Sequence, residues 1–149
     1  MCGVDGSTVS REALRTADRL SEQLGLSLVV AHVVPARPLR ARPNAVSGAS
    51  ATTDEIGAGE ELLREQCDAA GLAQARRRLL VGRPAERLAE LADELEAGLI
   101  VVGSRGQRLR QAAVVGSVSS ELLGLAPCPV LVLPARAVDW ERKEPLTAA

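Results

Sequence analysis

The sequence predicts a single α/β domain with an open parallel sheet and helices on both faces. Two observations carry this prediction. Short apolar segments such as Leu26 to Val34, Leu99 to Val102 and Val130 to Leu133 are typical of strands buried on both faces. They alternate with segments of helical periodicity, which favours right-handed crossovers between parallel strands. A chain of 149 residues is long enough to bury one two-sided core.

The first half of the chain predicts two strands and two helices. Met1 to Val4 is a short first strand with Asp5 at its carboxyl end, and a helix from Ser7 or Ser10 stops at Gly25. Leu26 to Val34 is the second strand. The segment from Pro35 to Thr53 is rich in proline and small polar residues, so we expect a flexible loop that is disordered in the free protein rather than folded over a ligand. A second helix is predicted over Asp54 to Ala70.

The second half continues the alternation. Arg76 to Val81 is polar at its start, as expected of an edge strand, and Pro84 then begins a helix that Gly98 ends. Leu99 to Val102 is the fourth strand, and a helix that begins at Gly116 or Ser117 leads to the fifth, Val130 to Leu133. The polar stretch 135–149 is expected to be a loosely held C-terminal tail.

Composition excludes several classes of function. The net charge is −1 and Trp140 is the only aromatic residue, so we expect neither nucleic-acid binding nor attachment to an anionic membrane. Lys143 is the only lysine, which excludes a Walker A loop. The three cysteines lack metal-binding spacing and His32 is the single histidine, so no protein-held metal site is predicted. Without a signal peptide or a membrane-length apolar run, the expected location is the cytoplasm.

The fourth strand leads into a glycine pattern that suits a phosphate. Gly103 and Gly106 are followed, after nine intervening residues, by Gly116 and Ser117. Glycine lets backbone approach a ligand closely, and a helix that begins at Ser117 offers unpaired N–H groups to an anion. Read alone, the pattern fits equally well with an ordinary turn followed by a helix N-cap.

The flanking residues favour the first interpretation. The pattern G-x-x-G-x9-G-S, the following A-P-C-P-V-L-V-L-P at Ala126 to Pro134 and the opening G-V-D-G-S at Gly3 to Ser7 resemble the universal stress protein family. The resemblance covers residues 1–134, which we take as one nucleotide-binding domain. It implies a Rossmann-like five-stranded sheet of order 3-2-1-4-5, usually in a dimer, and ATP binding by members that carry the motif.

The same resemblance implies a site between the first and fourth strands, where the strand order reverses. Three groups of residues are implied: one at adenine and ribose, one at ribose and phosphates, and one at the phosphates alone. Magnesium, where present, would be coordinated by phosphate oxygens and water. The implied contacts are Val4, Asp5, Val33 and Val34 for adenine and ribose, Gly103, Arg105 and Gly106 for ribose and phosphates, and Gly116, Ser117, Val118 and Ser119 for phosphates.

Other roles remain open for some of these residues. Asp5 could cap the first helix or its turn, and Arg105 could be a solvated surface charge. His32, alone in an apolar strand, is interpreted as structural. The chain also departs from the family pattern in its short first strand, at Gly98, where an Asp is common, and at Arg83, where an acidic helix cap is common.

The leading hypothesis is an ATP-binding regulatory protein of the stress-response type. Its partners would be an adenine nucleotide and a second copy of the chain, paired through the apolar fifth strand, Val130 to Leu133. No catalytic residue is predicted, because no activated base or nucleophile is evident. The alternatives are a slow ATPase or nucleotidyl transferase, and a nucleotide-free dimeric interaction module.

Overall fold

A computed structural model describes residues 1–38, 49–104 and 116–135. Five parallel strands form the main sheet: β1 (Cys2–Gly3), β2 (Val29–Pro35), β5 (Arg76–Gly82), β6 (Ile100–Gly103) and β7 (Val130–Leu133). Their spatial order is β5-β2-β1-β6-β7. This is the predicted order 3-2-1-4-5 once the strands of the main sheet alone are counted along the chain.

Four helices cover the two faces of the sheet: α1 (Thr8–Leu24), α2 (Thr53–Ala69), α3 (Pro84–Glu94) and α4 (Ser117–Leu125). On one face, Leu14 of α1 and Leu63 of α2 pack in the same buried cluster. On the other face, Leu91 of α3 and Leu122 of α4 share a second buried cluster. The apolar core therefore lies on both sides of the sheet, as predicted for a doubly wound α/β domain.

The first strand is short but lies at the centre of the sheet. Cys2 is fully buried and pairs with Val30 of β2 on one side and Val101 of β6 on the other. Gly3 allows α3 to pack closely, because a Cβ there would lie 3.0 Å from a methyl carbon of Leu88. Pairing on both sides and close packing against α3 therefore hold β1 in place although it has only two residues.

The segment from Pro35 to Thr53 contains two short strands that the sequence did not predict. Its two ends pair as an antiparallel ribbon of β3 (Arg37–Pro38) and β4 (Ala49–Ser50). Residues 39–48, in which the flexible part was expected, lie outside the described residues. The predicted tail also lies outside them, except for Ala135. Within the described ranges, no helix has both the length and the apolar character that crossing a membrane requires.

Candidate functional site

A cavity of about 550 Å³ lies at the carboxyl ends of β1, β2 and β6. Its floor includes the end of β1, and its rim includes the first residues of α3 and α4. The strand order reverses between β1 and β6, which is where open α/β sheets bind ligands. The volume falls within the usual range for small-molecule pockets.

Helix α4 presents its N-terminus to this cavity without a side-chain cap. Gly116 is the N-cap residue, and among the described residues no side chain caps the helix there. The N–H groups of the next three residues have no acceptor within the helix, because the first turn of any helix leaves its donors unpaired. Those residues, Ser117, Val118 and Ser119, all line the cavity. The Ser119 hydroxyl donates to the Gly116 carbonyl at 3.1 Å, so what it offers a ligand as a donor is its backbone N–H.

A buried hydroxyl lies beside this helix start. Ser104 follows β6 and joins three elements: its N–H donates to the carbonyl of Leu133, and its carbonyl accepts from the N–H of Gly116. Ser104 is among the residues that line the cavity, and it is only 2% exposed. Its Oγ has no hydrogen-bond partner in the part of the chain that the structure describes. A buried polar atom in this state costs free energy unless a ligand or water completes it.

Sequence reasoning did not select Ser104. The available signal was a small polar residue placed immediately after a buried strand, between two glycines of the spaced motif. That signal is weak, because serine is common in turns for local reasons. Only the tertiary packing shows that this hydroxyl is both enclosed and unpaired.

Asp5 has the turn role that the sequence left open, and it also lines the cavity. Its Oδ1 accepts the N–H of Ser7 at 3.0 Å, and its own N–H donates to the Ser10 hydroxyl at 3.3 Å. These bonds tie the end of β1 to the first turn of α1. The carboxylate is thereby held in place among the residues that line the cavity.

His32 supports the same corner from the neighbouring strand. Its Nδ1 lies 2.8 Å from the carbonyl oxygen of Val4. Because a carbonyl can only accept, Nδ1 carries the hydrogen in this bond. The bond links β2 to the residue before Asp5, which agrees with the structural role expected for this histidine.

The structure brings most of the predicted site residues to one cavity. Val34 differs: its side chain lies on the face covered by α2, where a Cβ at Gly59 would come within 2.8 Å of its Cγ2. Side chains alternate along a strand, so Val33 and Val34 lie on opposite faces of the sheet, and Val34 is not among the residues that line the cavity. Arg105 and Gly106 lie outside the described residues. The predicted residues that line the cavity are Val4, Asp5, Val33, Gly103, Gly116, Ser117, Val118 and Ser119.

Gly103 also serves the fold. A Cβ at this position would lie 3.0 Å from Cγ1 of Val9 and 3.3 Å from the backbone nitrogen of Ser10. The glycine therefore lets the first turn of α1 approach the end of β6. Glycine is therefore needed at position 103 for packing, whether or not this residue also contacts a ligand.

The rim carries a small charged group. Arg83, the residue before α3, forms ion pairs with Glu86 and, at 3.6 Å, with Glu121 of α4. As expected from the missing acidic residue, the start of α3 has no side-chain cap, and Pro84 occupies its first turn. Arg83 and Glu121 both line the cavity, so the ion pair between α3 and α4 lies at its edge.

The parallel sheet, its order and the cavity at its switch point define a doubly wound α/β domain of the ligand-binding kind. The chain belongs to the universal stress protein family, whose family model matches residues 1–134.

Curated relatives agree over most of the chain. The stress response protein NhaX of Bacillus subtilis is 29% identical, over 87% of this chain and 93% of the relative. A universal stress protein of Thermus aquaticus is 30% identical, again over 87% of this chain and 93% of the relative.

Solved structures show the same fold. A universal stress protein from Archaeoglobus fulgidus superposes with a TM-score of 0.69 at 24% identity, covering 88% of this chain and 94% of its own. A universal stress protein crystallised in complex with cAMP superposes with a TM-score of 0.65 at 27% identity, covering 89% of this chain and 93% of its own.

Proposed function

We propose that this protein is a regulatory stress-response protein that binds ATP in the cavity at the carboxyl ends of the strands. The observation that carries the proposal is the uncapped start of α4, which opens into the cavity beside the unpaired hydroxyl of Ser104. Free backbone N–H groups and the positive end of a helix dipole suit a phosphate group. The solved relative that holds cAMP, an adenine nucleotide, supports the same class of ligand.

The rest of the cavity suits the nucleoside part of such a ligand. Ala31 and Val33 of β2, with Leu62 of α2 and Leu88 of α3, supply apolar surface for a base. Asp5 also lines the cavity, and its carboxylate can accept a hydrogen bond from a ribose hydroxyl. Magnesium that accompanied the nucleotide would be held by phosphate oxygens and water.

Binding is favoured over turnover. Hydrolysis needs a base or nucleophile placed at the phosphates and oriented by a third group. The Asp5 carboxylate is instead engaged with the backbone of the α1 turn. Repeated turnover of ATP by purified protein, abolished by Asp5→Asn, would contradict this part of the proposal and favour a slow ATPase.

The central test is calorimetric titration of ATP into the wild type and into Gly116→Val. Gly116 has φ −74° and ψ 166°, which valine adopts readily, so the substitution adds bulk at the cavity without forcing the backbone. We expect ATP binding by the wild type and its loss in the variant. The matched control is Gly124→Val, in the same helix, where a new Cβ meets nothing within 4 Å. Equal affinity in all three proteins would remove the start of α4 from the proposal.

We also propose that two copies of the chain pair through β7. This strand lies at one edge of the sheet and has no charged residue, whereas the opposite edge strand, β5, begins with three arginines at 76–78. Charged residues protect a sheet edge from pairing, and apolar edges invite it. Leu123 and Leu125, which are 59% and 50% exposed on the neighbouring helix, extend the apolar surface.

Sedimentation at micromolar concentration tests the pairing. The carbonyls of Pro129 and Leu133 accept hydrogen bonds from the N–H groups of Ile100 and Ser104. Backbone groups alternate in direction along a strand, so those of Val132, next to Leu133, face away from the sheet. Val132→Pro removes an outward donor and should convert the dimer into a monomer while circular dichroism stays unchanged. A wild type that sediments as a monomer would contradict the proposal.

A further inference from the structure

We propose that Arg83 makes this cavity prefer nucleoside polyphosphates to nucleoside monophosphates, by donating its guanidinium N–H groups to the outer phosphates. The inference rests on the proposed function, because it assigns a contact within the same site. Among the described residues that line the cavity, no other side chain carries a permanent positive charge. The chain has arginine here, where a capping residue would otherwise satisfy the start of α3.

The position of Arg83 suits the outer phosphates rather than the inner one. Its Nη2 lies 3.6 Å from Oε2 of Glu121. Glu121 follows Ser117 by four residues on α4, which places the two on the same side of the helix, about 6 Å apart along its axis. Arg83 and the first residues of α4 line the same cavity, so a phosphate chain that begins at the first N–H groups of α4 can extend toward the guanidinium. A second or third phosphate group brings the ligand toward the guanidinium, whereas the phosphate of a monophosphate ends at the helix start.

Arg83 can exchange its present partners for a ligand. Its side chain is 69% exposed, and the carboxylates of Glu86 and Glu121 are 40% and 49% exposed. Ion pairs between exposed groups contribute little, because water screens them and the side chains lose freedom. A guanidinium forms stronger, bidentate hydrogen bonds with a phosphate that carries more than one negative charge. Polyphosphate binding therefore competes well with both glutamates.

The same geometry gives Arg83 a second effect on the ligand. Glu121 lines the cavity on the helix that would hold the phosphates. Without a cation beside it, its carboxylate would repel a polyphosphate more strongly than a monophosphate, since the interaction grows with ligand charge. Arg83 neutralises this carboxylate in the free protein and then contacts the ligand.

The experiment measures the dissociation constants of AMP, ADP and ATP for the wild type and for Arg83→Gln. We expect Arg83→Gln to weaken ATP binding by about tenfold or more, ADP binding by less and AMP binding by under about twofold. Glu121→Gln should strengthen ATP binding by about twofold, because it removes a competitor for Arg83 and a repulsive charge. The charge-matched control is Arg64→Gln on α2, which pairs with Glu61 and Asp68 and does not line the cavity. It should change none of the three constants.

Three results would overturn the inference or its basis. Equal weakening of AMP and ATP binding in Arg83→Gln would mean that Arg83 supports the nucleoside part of the site or the structure of the rim. The same three constants are then measured for Arg83→Ala, whose unchanged melting temperature would show that the fold is intact. Unchanged ATP binding would reduce Arg83 to a surface ion pair. A wild type that binds none of the three nucleotides would overturn the proposed function itself, which is a different failure from a loss of preference among them.

Discussion

The helices on the two faces of the sheet begin in different ways. On one face, Ser7 caps α1 by accepting the N–H of Ser10, and Thr52 caps α2 in a reciprocal capping box with Glu55. On the other face, the N-caps of α3 and α4, Arg83 and Gly116, make no side-chain cap. In the first pair, the N-cap side chain accepts one N–H of its own helix, whereas in the second pair no N-cap side chain does so.

Backbone conformation does not explain the difference. Ser7 has φ −75° and ψ 160°, Thr52 has −75° and 161°, and Gly116 has −74° and 166°. A serine or threonine would therefore fit the backbone at position 116 and contribute about 1 kcal/mol relative to an uncapped start. Helix α4 therefore lacks an N-cap hydrogen bond that its backbone geometry permits. The proposed ligand would bind at this helix start and supply hydrogen-bond acceptors there. A ligand that binds only the folded state raises stability by mass action.

The largest expected effect comes from giving α4 a cap of its own with Gly116→Asp. The new carboxylate would accept the free N–H groups of the first turn and occupy the place of a phosphate with like charge. We expect ATP affinity to fall at least about 100-fold, about 2.8 kcal/mol, without loss of the fold. Calorimetry and thermal unfolding measure the two quantities. If ATP binds the variant as it binds the wild type, the start of α4 is an ordinary helix end.

A smaller effect is expected at Ser104, which lies beside the uncapped helix start. Ser104→Ala removes the buried hydroxyl, for which the described residues offer no partner. Removing an unpaired buried polar group should leave the free energy of unfolding of the free protein unchanged or slightly raised. A hydroxyl that donates to the ligand contributes about 1 kcal/mol, so ATP affinity should fall about fivefold.

The changes in unfolding free energy and in ATP affinity distinguish a role of Ser104 in ligand binding from a role in the fold. Urea unfolding of the free protein and ATP titration are measured on the same preparation of Ser104→Ala. Lower stability with unchanged affinity would show that the hydroxyl serves the fold. In that case Ser104 would not contribute to ligand binding, and the difference between the two faces would consist only of the capped and uncapped helix starts.

The smallest effect on binding is expected on the capped face. Thr52→Ala removes one half of the capping box of α2, in which the Thr52 hydroxyl oxygen accepts the N–H of Glu55 at 3.2 Å. The free energy of unfolding should fall by about 1 kcal/mol. ATP affinity should stay within about twofold of the wild-type value, because the loss of a helix cap does not change contacts at a distant site that shares no partners with it. A large loss of affinity in Thr52→Ala would mean that the two faces are coupled.

The patterns that the sequence predicted best were those with local causes. Apolar strands, helix periods and glycine stops predicted the sheet, its class and nearly all of its elements, because each depends on neighbouring residues. The antiparallel ribbon of β3 and β4 was not predicted, since two-residue strands carry no periodicity. Val34 was assigned to the cavity together with Val33, but its side chain packs toward α2 and it is not among the lining residues.

The sequence by itself determined that this is an α/β domain with a phosphate-suited motif after its fourth strand, because strand and helix periodicity and glycine spacing are written along the chain. Tertiary structure alone decided which polar atoms are left without partners. The Ser104 hydroxyl is buried because β6, β7 and α4 converge on that residue. Arg83 meets Glu121 because two helices distant in sequence begin side by side. Such pairings depend on three-dimensional distance, and no local pattern encodes them.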